Sequence, residues 1–370
     1  MPLYIGVMSG TSLDSIDAAL CEISSNNAPA LLAHHDHSFP AGLREELIGL
    51  CQPGSNEIER MGRADRELGA IYAEAVVTLL KEAGLSADAV AAIGCHGQTV
   101  RHRPPSSAQP ASSAFTLQIG DANTLAMLTG ITTISDFRRR DIAEGGQGAP
   151  LAPAFHKAVF ASPTSDRAIV NIGGMANITL LPAKGQCSGF DTGPGNVLMD
   201  TWIHQQKALA FDDGGRWAAS GKIDNALLQQ LLALPYFQHE SGPRSTGRED
   251  FDAALLSNIP GNIRGEDVQA TLLEFTAQTI AAPLLRLDSR PSQLYACGGG
   301  AYNTALIQRL ETLLHPMIVT STQQLGIAPE WVEAMAFAWL AHRRLEGKSG
   351  NIPSVTGAAR EVLLGAVYPP

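Results

Sequence analysis

Apolar and β-branched residues alternate with polar ones in short runs along the first part of the chain. That period of two predicts strands over 3–8, 17–23 and 31–39. The spacing then widens to three and four, which predicts helices over 41–50 and 58–82. Short apolar runs after them predict strands over 90–95, 116–119 and 131–135. "RPPSSAQPASSA", over 103–114, has the composition of a surface loop. Glycine and proline interrupt the pattern in "DIAEGGQGAPLAP", over 141–153, and mark the expected domain boundary. Beyond it the order of events restarts. "RAIVNIGGMANITLL", over 167–181, reads as strand, Gly-rich turn and strand, the same plan as the opening "YIGVMSGTSLDSIDAAL" over 4–20. A third strand is expected to end in "SGFDTG" (188–193), followed by a helix from Pro194 carrying Val197, Leu198, Trp202 and Ile203. A helix over 268–287, a strand over 293–297, the turn "CGGGAYN", another helix, a strand over 317–320 and a helix over 330–346 complete the pattern.

Both halves therefore read as α/β units with the same order of elements. We expect two domains, 1–146 and 147–370, with the last helix packing back on the first domain. Facing one another, they would form an interdomain cleft. Three Gly-rich turns would point into it: Gly10-Thr11-Ser12, Gly173-Gly174 and Gly298-Gly299-Gly300. Glycine allows close backbone approach and positive φ, so successive N–H groups can converge on an anion. Two hairpin turns, one from each half, would thus grip phosphates without the lysine of a P-loop.

The composition narrows the partners. Of 370 residues, 45% are apolar and 17% charged, the balance of a well-cored globular chain. A formal charge of −10 argues against nucleic acid as partner; Arg138-Arg139-Arg140 is the one dense basic site. Five widely spaced cysteines, odd in number and without C-x-x-C pairing, suit a reducing compartment. The start of the chain runs straight into a strand, unlike a secretory leader, and no apolar run has the length of a membrane span. A cytoplasmic protein without membrane contact is the expectation.

Several polar residues stand where strands should end. Asp191, ringed by Gly189, Gly193 and Gly195, is placed either as a general base or as a turn or helix-capping carboxylate. Asp14 and Asp17, in and after the first turn, offer carboxylates for Mg²⁺ through water, Asp14 foremost, or serve the turn itself. Asn177 follows the second turn as a phosphate or turn contact. His96 and Gln98 lie in "CHGQT", read as a loop suited to sugar hydroxyls, although a structural histidine fits equally. Asp136 and Arg138 lie in "DFRRRD", where a guanidinium can fork onto a carboxylate or simply face solvent. Glu333 opens an apolar helix face and acts either on substrate or as an anion near a helix N-terminus. "HHDH" at 34–37 puts His35 and His37 on one strand face but brings no second ligand cluster for zinc. "STGRE", over 245–249, is a substrate or turn loop.

Paired hairpins with a third Gly-rich turn resemble the actin-like superfamily of ATPases and sugar kinases, whose core is a duplicated ribonuclease H-like mixed sheet. Over essentially its whole length the chain is similar to the anhydro-N-acetylmuramic acid kinase family. The matching stretches are "GVMSGTSLDSIDAAL", "GCHGQTVRH", "TISDFRRRDIAEGGQGAPLAPAFH", "NIGGMANIT", "GFDTGPGNVLMD", "STGRE", "CGGGAYN" and "EAMAFAWLAHR". Ser15 stands where a glycine is common in that family. The resemblance implies ATP and Mg²⁺ as cofactors, 1,6-anhydro-N-acetylmuramic acid as substrate, a homodimer, and a step in cell-wall recycling. It implies Asp191 as the catalytic base. ATP would contact Gly10, Thr11, Ser12, Leu13, Asp14, Ser15, Ile16, Asp17, Gly173, Gly174, Asn177, Gly298, Gly299 and Gly300. The sugar would contact His96, Gln98, Asp136, Arg138 and Glu333. An ordinary hexosamine or hexose kinase, and a nucleotide-switch protein of the same fold, are the alternative functions.

Overall fold

The computed structural model describes residues 2–10, 13–24, 28–105, 109–238, 251 and 253–370. Alternation in Leu3–Ser9 (β1) sends Ile5 and Val7 to one face and Tyr4, Gly6 and Met8 to the other. β1 pairs antiparallel with Ile16–Glu22 (β2), and β2 with Ala30–His37 (β3). The chain then passes through the helices Ala41–Leu50 and Glu57–Ala83 to Val90–Cys95 (β4), which lies parallel to β1. Gln98–Arg103 (β5) and Phe115–Ile119 (β6) form a separate two-stranded ribbon. Thr133–Ser135 (β7) extends the sheet parallel to β4.

The helix Glu57–Ala83 buries Leu68, Tyr72, Val76 and Leu79, spaced three and four apart, against Ile5, Val7, Ile16, Ala18, Leu20 and Ile93. Each large side chain buried there contributes about 1.5–3 kcal/mol. The helix Val332–Leu345 covers the opposite face. A Cβ on Gly6 would collide with the carbonyl of Ala334, and one on Gly94 with that of Phe337. Two glycines in adjacent strands thus let this helix lie directly on the sheet backbone.

In the second unit, Arg167–Ile172 (β8), Met175–Leu181 (β9) and Ser188–Pro194 (β10) form an antiparallel meander. Gln293–Cys297 (β11) lies parallel to β8 and Ile318–Ser321 (β12) parallel to β11. The order β10-β9-β8-β11-β12 repeats β3-β2-β1-β4-β7, with the same strand directions. This is the duplicated mixed sheet of the actin-like plan. Helices Gly265–Leu285 and Thr304–Leu314 supply Leu272, Phe275, Ile280, Leu306 and Leu310 to the core beneath Val170, Ile172, Ala176 and Ile178.

The chain divides into Met1–Val159 with Trp331–Pro370, and Phe160–Glu330. The helix Val332–Leu345 thus belongs to the first unit, as does the Gly/Pro-rich segment 141–153. The reason is Asp141. Its buried carboxylate gathers Asn351, Thr356 and the Gly148 N–H, so the Gly/Pro-rich segment is folded into the first unit instead of linking two. The C-terminal strand Ala366–Tyr368 (β13), not anticipated in the sequence, pairs antiparallel with β7. Gln98 opens β5 and does not lie in a loop. Within 103–114, residues 111–113 make a single tight turn whose Ser113 carbonyl accepts from Gln109.

Candidate active site

In β8, β9 and β10 the register places Asn171 opposite Asn177 and Asn177 opposite Asp191. Residues directly opposite share a face, and the neighbouring Val170, Ile172, Ala176 and Ile178 point into the core. The three polar side chains therefore form one row on the face away from that core. The amide oxygens of Asn171 and Asn177 are buried without a hydrogen-bond partner among the described residues. A buried acceptor left that way costs about 1–3 kcal/mol, so the row is built to receive donors.

Asp191 is 7% exposed and sits where the β9–β10 register slips before Gly193. Such bulges re-aim side chains, and Gly193 takes a φ of 136° there. The Asp191 carbonyl accepts from the Tyr236 hydroxyl at 2.6 Å. The following helix, Val197–Lys207, starts at Asn196, so Asp191 is a strand residue and not its cap. The Gly173-Gly174 turn is joined to the same segment. Its carbonyls accept the N–H groups of Gly195 (2.9 Å), Asn196 (2.8 Å) and Val197 (3.1 Å). Turn and carboxylate thus belong to one rigid piece. Beside them, Gly298 has a φ of 76°, and a Cβ there would strike the Asn171 amide oxygen. Gly299 and Gly300 form a short 3₁₀ turn, with Gly300 pressed against Ile172.

In the first unit the β1–β2 turn carries Gly10, Leu13, Asp14 and Ser15; Thr11, Ser12 and the 245–249 stretch lie outside the described residues. Leu13 adopts a φ of 57°, rare for a branched side chain. It is held there by complete burial, by its N–H on the Gly10 carbonyl at 3.2 Å, and by Arg44 donating to its own carbonyl at 2.9 Å. Asp14 is exposed, whereas Ile16 enters the core. Burial pushes the Asp17 carboxyl up to about 7, with the carboxylates of Asp36, Glu333 and Asp14 adding to it. The Ser15 hydroxyl, donating at 2.9 Å, opposes that rise. Glu333 lies half-buried in the first turn of the helix Val332–Leu345.

His96 follows β4 and is buried. Arg138 donates to its Nε2 through Nε at 3.1 Å and Nη2 at 2.9 Å. Nε2 therefore carries the lone pair and Nδ1 the proton. Burial first, and the Arg138 charge second, hold this imidazole neutral far below its usual range. Arg138 also donates to the Gly148 carbonyl at 2.9 Å. Gln98 is buried with its amide oxygen unpartnered among the described residues. Asp136 has a φ of 61° and faces Arg139 at 3.4 Å; burial raises its pKa.

Sequence reasoning missed Asn171 and His102. A polar residue inside the apolar run "AIVNI" was the available signal for Asn171. His102 is lowered to about 3 by burial, then by Arg138 and Arg103, and its Nε2 lacks a partner among the described residues. His35 and His37 approach one another at 3.4 Å, with Glu82 3.2 Å from His35. No group of three metal-ligating side chains is found among the described residues.

The family profile described as anhydro-N-acetylmuramic acid kinase matches residues 2–370. A protein of that name from Saccharophagus degradans is 53% identical, with 100% of this chain and 99% of that protein covered. One from Pseudomonas fluorescens is 51% identical with both chains fully covered. A solved structure, component A of the Acidaminococcus fermentans (R)-2-hydroxyglutaryl-CoA dehydratase, is far more distant. It shows 11% identity and a TM-score of 0.47, over 91% of this chain and 96% of that one. With half its residues shared from end to end, the chain belongs to the anhydro-N-acetylmuramic acid kinase family.

Proposed function

We propose that the protein uses ATP to phosphorylate O6 of 1,6-anhydro-N-acetylmuramic acid while water opens the anhydro bridge, giving N-acetylmuramic acid 6-phosphate and ADP. Family membership over residues 2–370 carries this reading. The chemistry is economical. Most glycoside hydrolases need one carboxylic acid to protonate the leaving oxygen and one carboxylate for water. Here the leaving oxygen is O6, the atom that receives the γ-phosphoryl group. As C1–O6 breaks, the developing charge on O6 forms the new O–P bond and ADP departs, so no acid is required.

Asp191 then takes the proton of the water that attacks C1 from the opposite face, and the anomeric centre inverts. Asn177, next in its row, orients that carboxylate and water. ATP contacts Gly10–Asp17, Gly173-Gly174 and Gly298–Gly300. Its γ-phosphate belongs beside the piece that also carries Asp191. His96, Gln98, Asp136 and Glu333 bind sugar, and Arg138 takes the lactyl carboxylate, since a guanidinium matches that planar anion.

Mg²⁺ takes hard oxygen ligands, commonly through water, and the exposed Asp14 carboxylate is one that fits. When bound it would neutralise phosphate charge. We also assign a cytoplasmic homodimer; five widely spaced cysteines suit a reducing compartment, and sedimentation will test the dimer. No helix among the described residues is long and apolar enough to cross a membrane.

Product assays separate the alternatives. ADP release that depends on the anhydro sugar supports this function. Release that depends only on the open-ring sugar makes the protein an ordinary hexosamine kinase, and sugar-independent release makes it a nucleotide switch.

A further inference from the structure

Asp141 is wholly buried, and each of its carboxylate oxygens has a separate task. Oδ1 accepts from Asn351 Nδ2 at 2.8 Å and Thr356 Oγ1 at 2.7 Å. Oδ2 accepts from the Gly148 N–H at 2.8 Å. Asn351 is itself fixed, because its amide oxygen accepts from the Val362 N–H at 2.8 Å. Gly148 is thus held at its N–H by Asp141 while its carbonyl accepts from Arg138. Its φ of 67° belongs to the left-handed region, so the carbonyl direction depends on this residue being glycine. Gly146 has no room for a Cβ, which would overlap the Asp141 carboxylate, and the Gln147 N–H donates to the Thr356 carbonyl at 2.7 Å. The 146–148 segment is clamped on both sides.

We propose that Asp141 is a positioning residue: through Gly148 it sets the plane of the Arg138 guanidinium between the Gly148 carbonyl and His96, the orientation in which Arg138 receives the substrate's carboxylate. The proposal rests on the reading of Arg138 as the lactyl-carboxylate contact. His96 Nε2 and the Gly148 carbonyl accept on two sides of the guanidinium and so fix its plane. Forked recognition of a carboxylate depends on the angle of the plane as well as on charge. A relay that fixes that plane therefore acts on specificity.

The test compares two sugars: the anhydro sugar with its lactyl ether, and 1,6-anhydro-N-acetylglucosamine, which lacks it. Asp141→Asn puts an NH₂ against N–H or O–H donors and releases Gly148. It should cut the preference for the lactyl sugar about tenfold, the scale of one charge-assisted hydrogen bond. The loss should appear in KM for that sugar and not in KM for ATP. It should also shift the His96 imidazole resonances in ¹⁵N NMR, because Arg138 leaves Nε2.

Gly148→Ala displaces the same carbonyl without touching the carboxylate and should reproduce both effects, which keeps the test decisive should Asp141→Asn fold poorly. Thr356→Val removes an Oδ1 donor only; it should lower Tm while leaving sugar preference and the His96 resonances unchanged. Unaltered preference and unaltered His96 resonances in Asp141→Asn and Gly148→Ala would overturn the proposal. Arg138→Ala separates the underlying reading. If it keeps the sugar preference, the carboxylate goes elsewhere and Asp141 has no part in specificity. If it abolishes the preference while the other two variants keep it, the relay alone is wrong.

Discussion

One pair below its turn, the first hairpin sets Met8 opposite Asp17 and Asp17 opposite Asp36; one pair below its own turn, the second sets Asn171 opposite Asn177 and Asn177 opposite Asp191. The positions correspond strand for strand, yet the chemistry does not. In the second unit the row ends in a buried carboxylate beside two amide oxygens in need of donors. In the first it ends in an exposed Asp36, with a half-buried Asp17 pushed towards neutrality. The faces differ as well. Gly6 and Gly94 clear a path for a helix, where the corresponding pair in the second sheet is Ile169 and Tyr295. One scaffold occurs twice; side chains at equivalent positions put the proposed catalytic carboxylate in one copy and close helix packing in the other.

The comparison breaks most visibly at the two carboxylates. Asp191→Asn should lower kcat about 10²–10⁴-fold, the usual weight of a general base, with Tm little changed. Asp36→Asn, its exposed counterpart, should leave kcat within about twofold, as surface substitutions do; equal losses would mean that the rows are not functionally distinct. Next in size is Gly6→Ala. A methyl group driven into the Ala334 carbonyl should cost about 1–3 kcal/mol or more in chemical denaturation. A stable Gly6→Ala protein would refute the account of how that helix seats.

Asn177→Ala should reduce kcat/KM about tenfold, the cost of one hydrogen bond to a charged group. A further effect is one of pH. The Asp17 carboxyl titrates near 7 in the fold against about 4 when unfolded, so the native state holds the extra proton between those values. Wild-type stability should therefore decline as pH rises from about 4 to 7 and level off above. Asp17→Asn should lack that decline, so its Tm should gain on wild type across the same window. Parallel pH curves for the two proteins would contradict the buried setting of Asp17.

Much of this arrangement is legible in the chain itself because strand period and glycine turns are local signals. The duplicated order of strands, both hairpins and the carboxylate at position 191 all come from short contiguous stretches. What escaped was long-range. β13 pairs with β7 across more than half the chain, and Asn351 and Thr356 reach Asp141 from the far end of the sequence. A Gly/Pro-rich stretch looks like a linker until those partners are known. Gln98 was misplaced for a related reason: β5 is a short, bulged and largely polar strand, without the alternation that marks its neighbours. Asn171 stood out only as one polar residue in an apolar run, and its meaning depends on the register that aligns it with Asn177 and Asp191.

The most direct test of the coupled reaction is to run it in oxygen-18 water with ATP and the anhydro sugar, and to locate the label by mass spectrometry. The account predicts one heavy oxygen on C1 and none in the phosphate, which sits on O6, in the same product molecule. An unlabelled C1, or label carried in the phosphate, would contradict it.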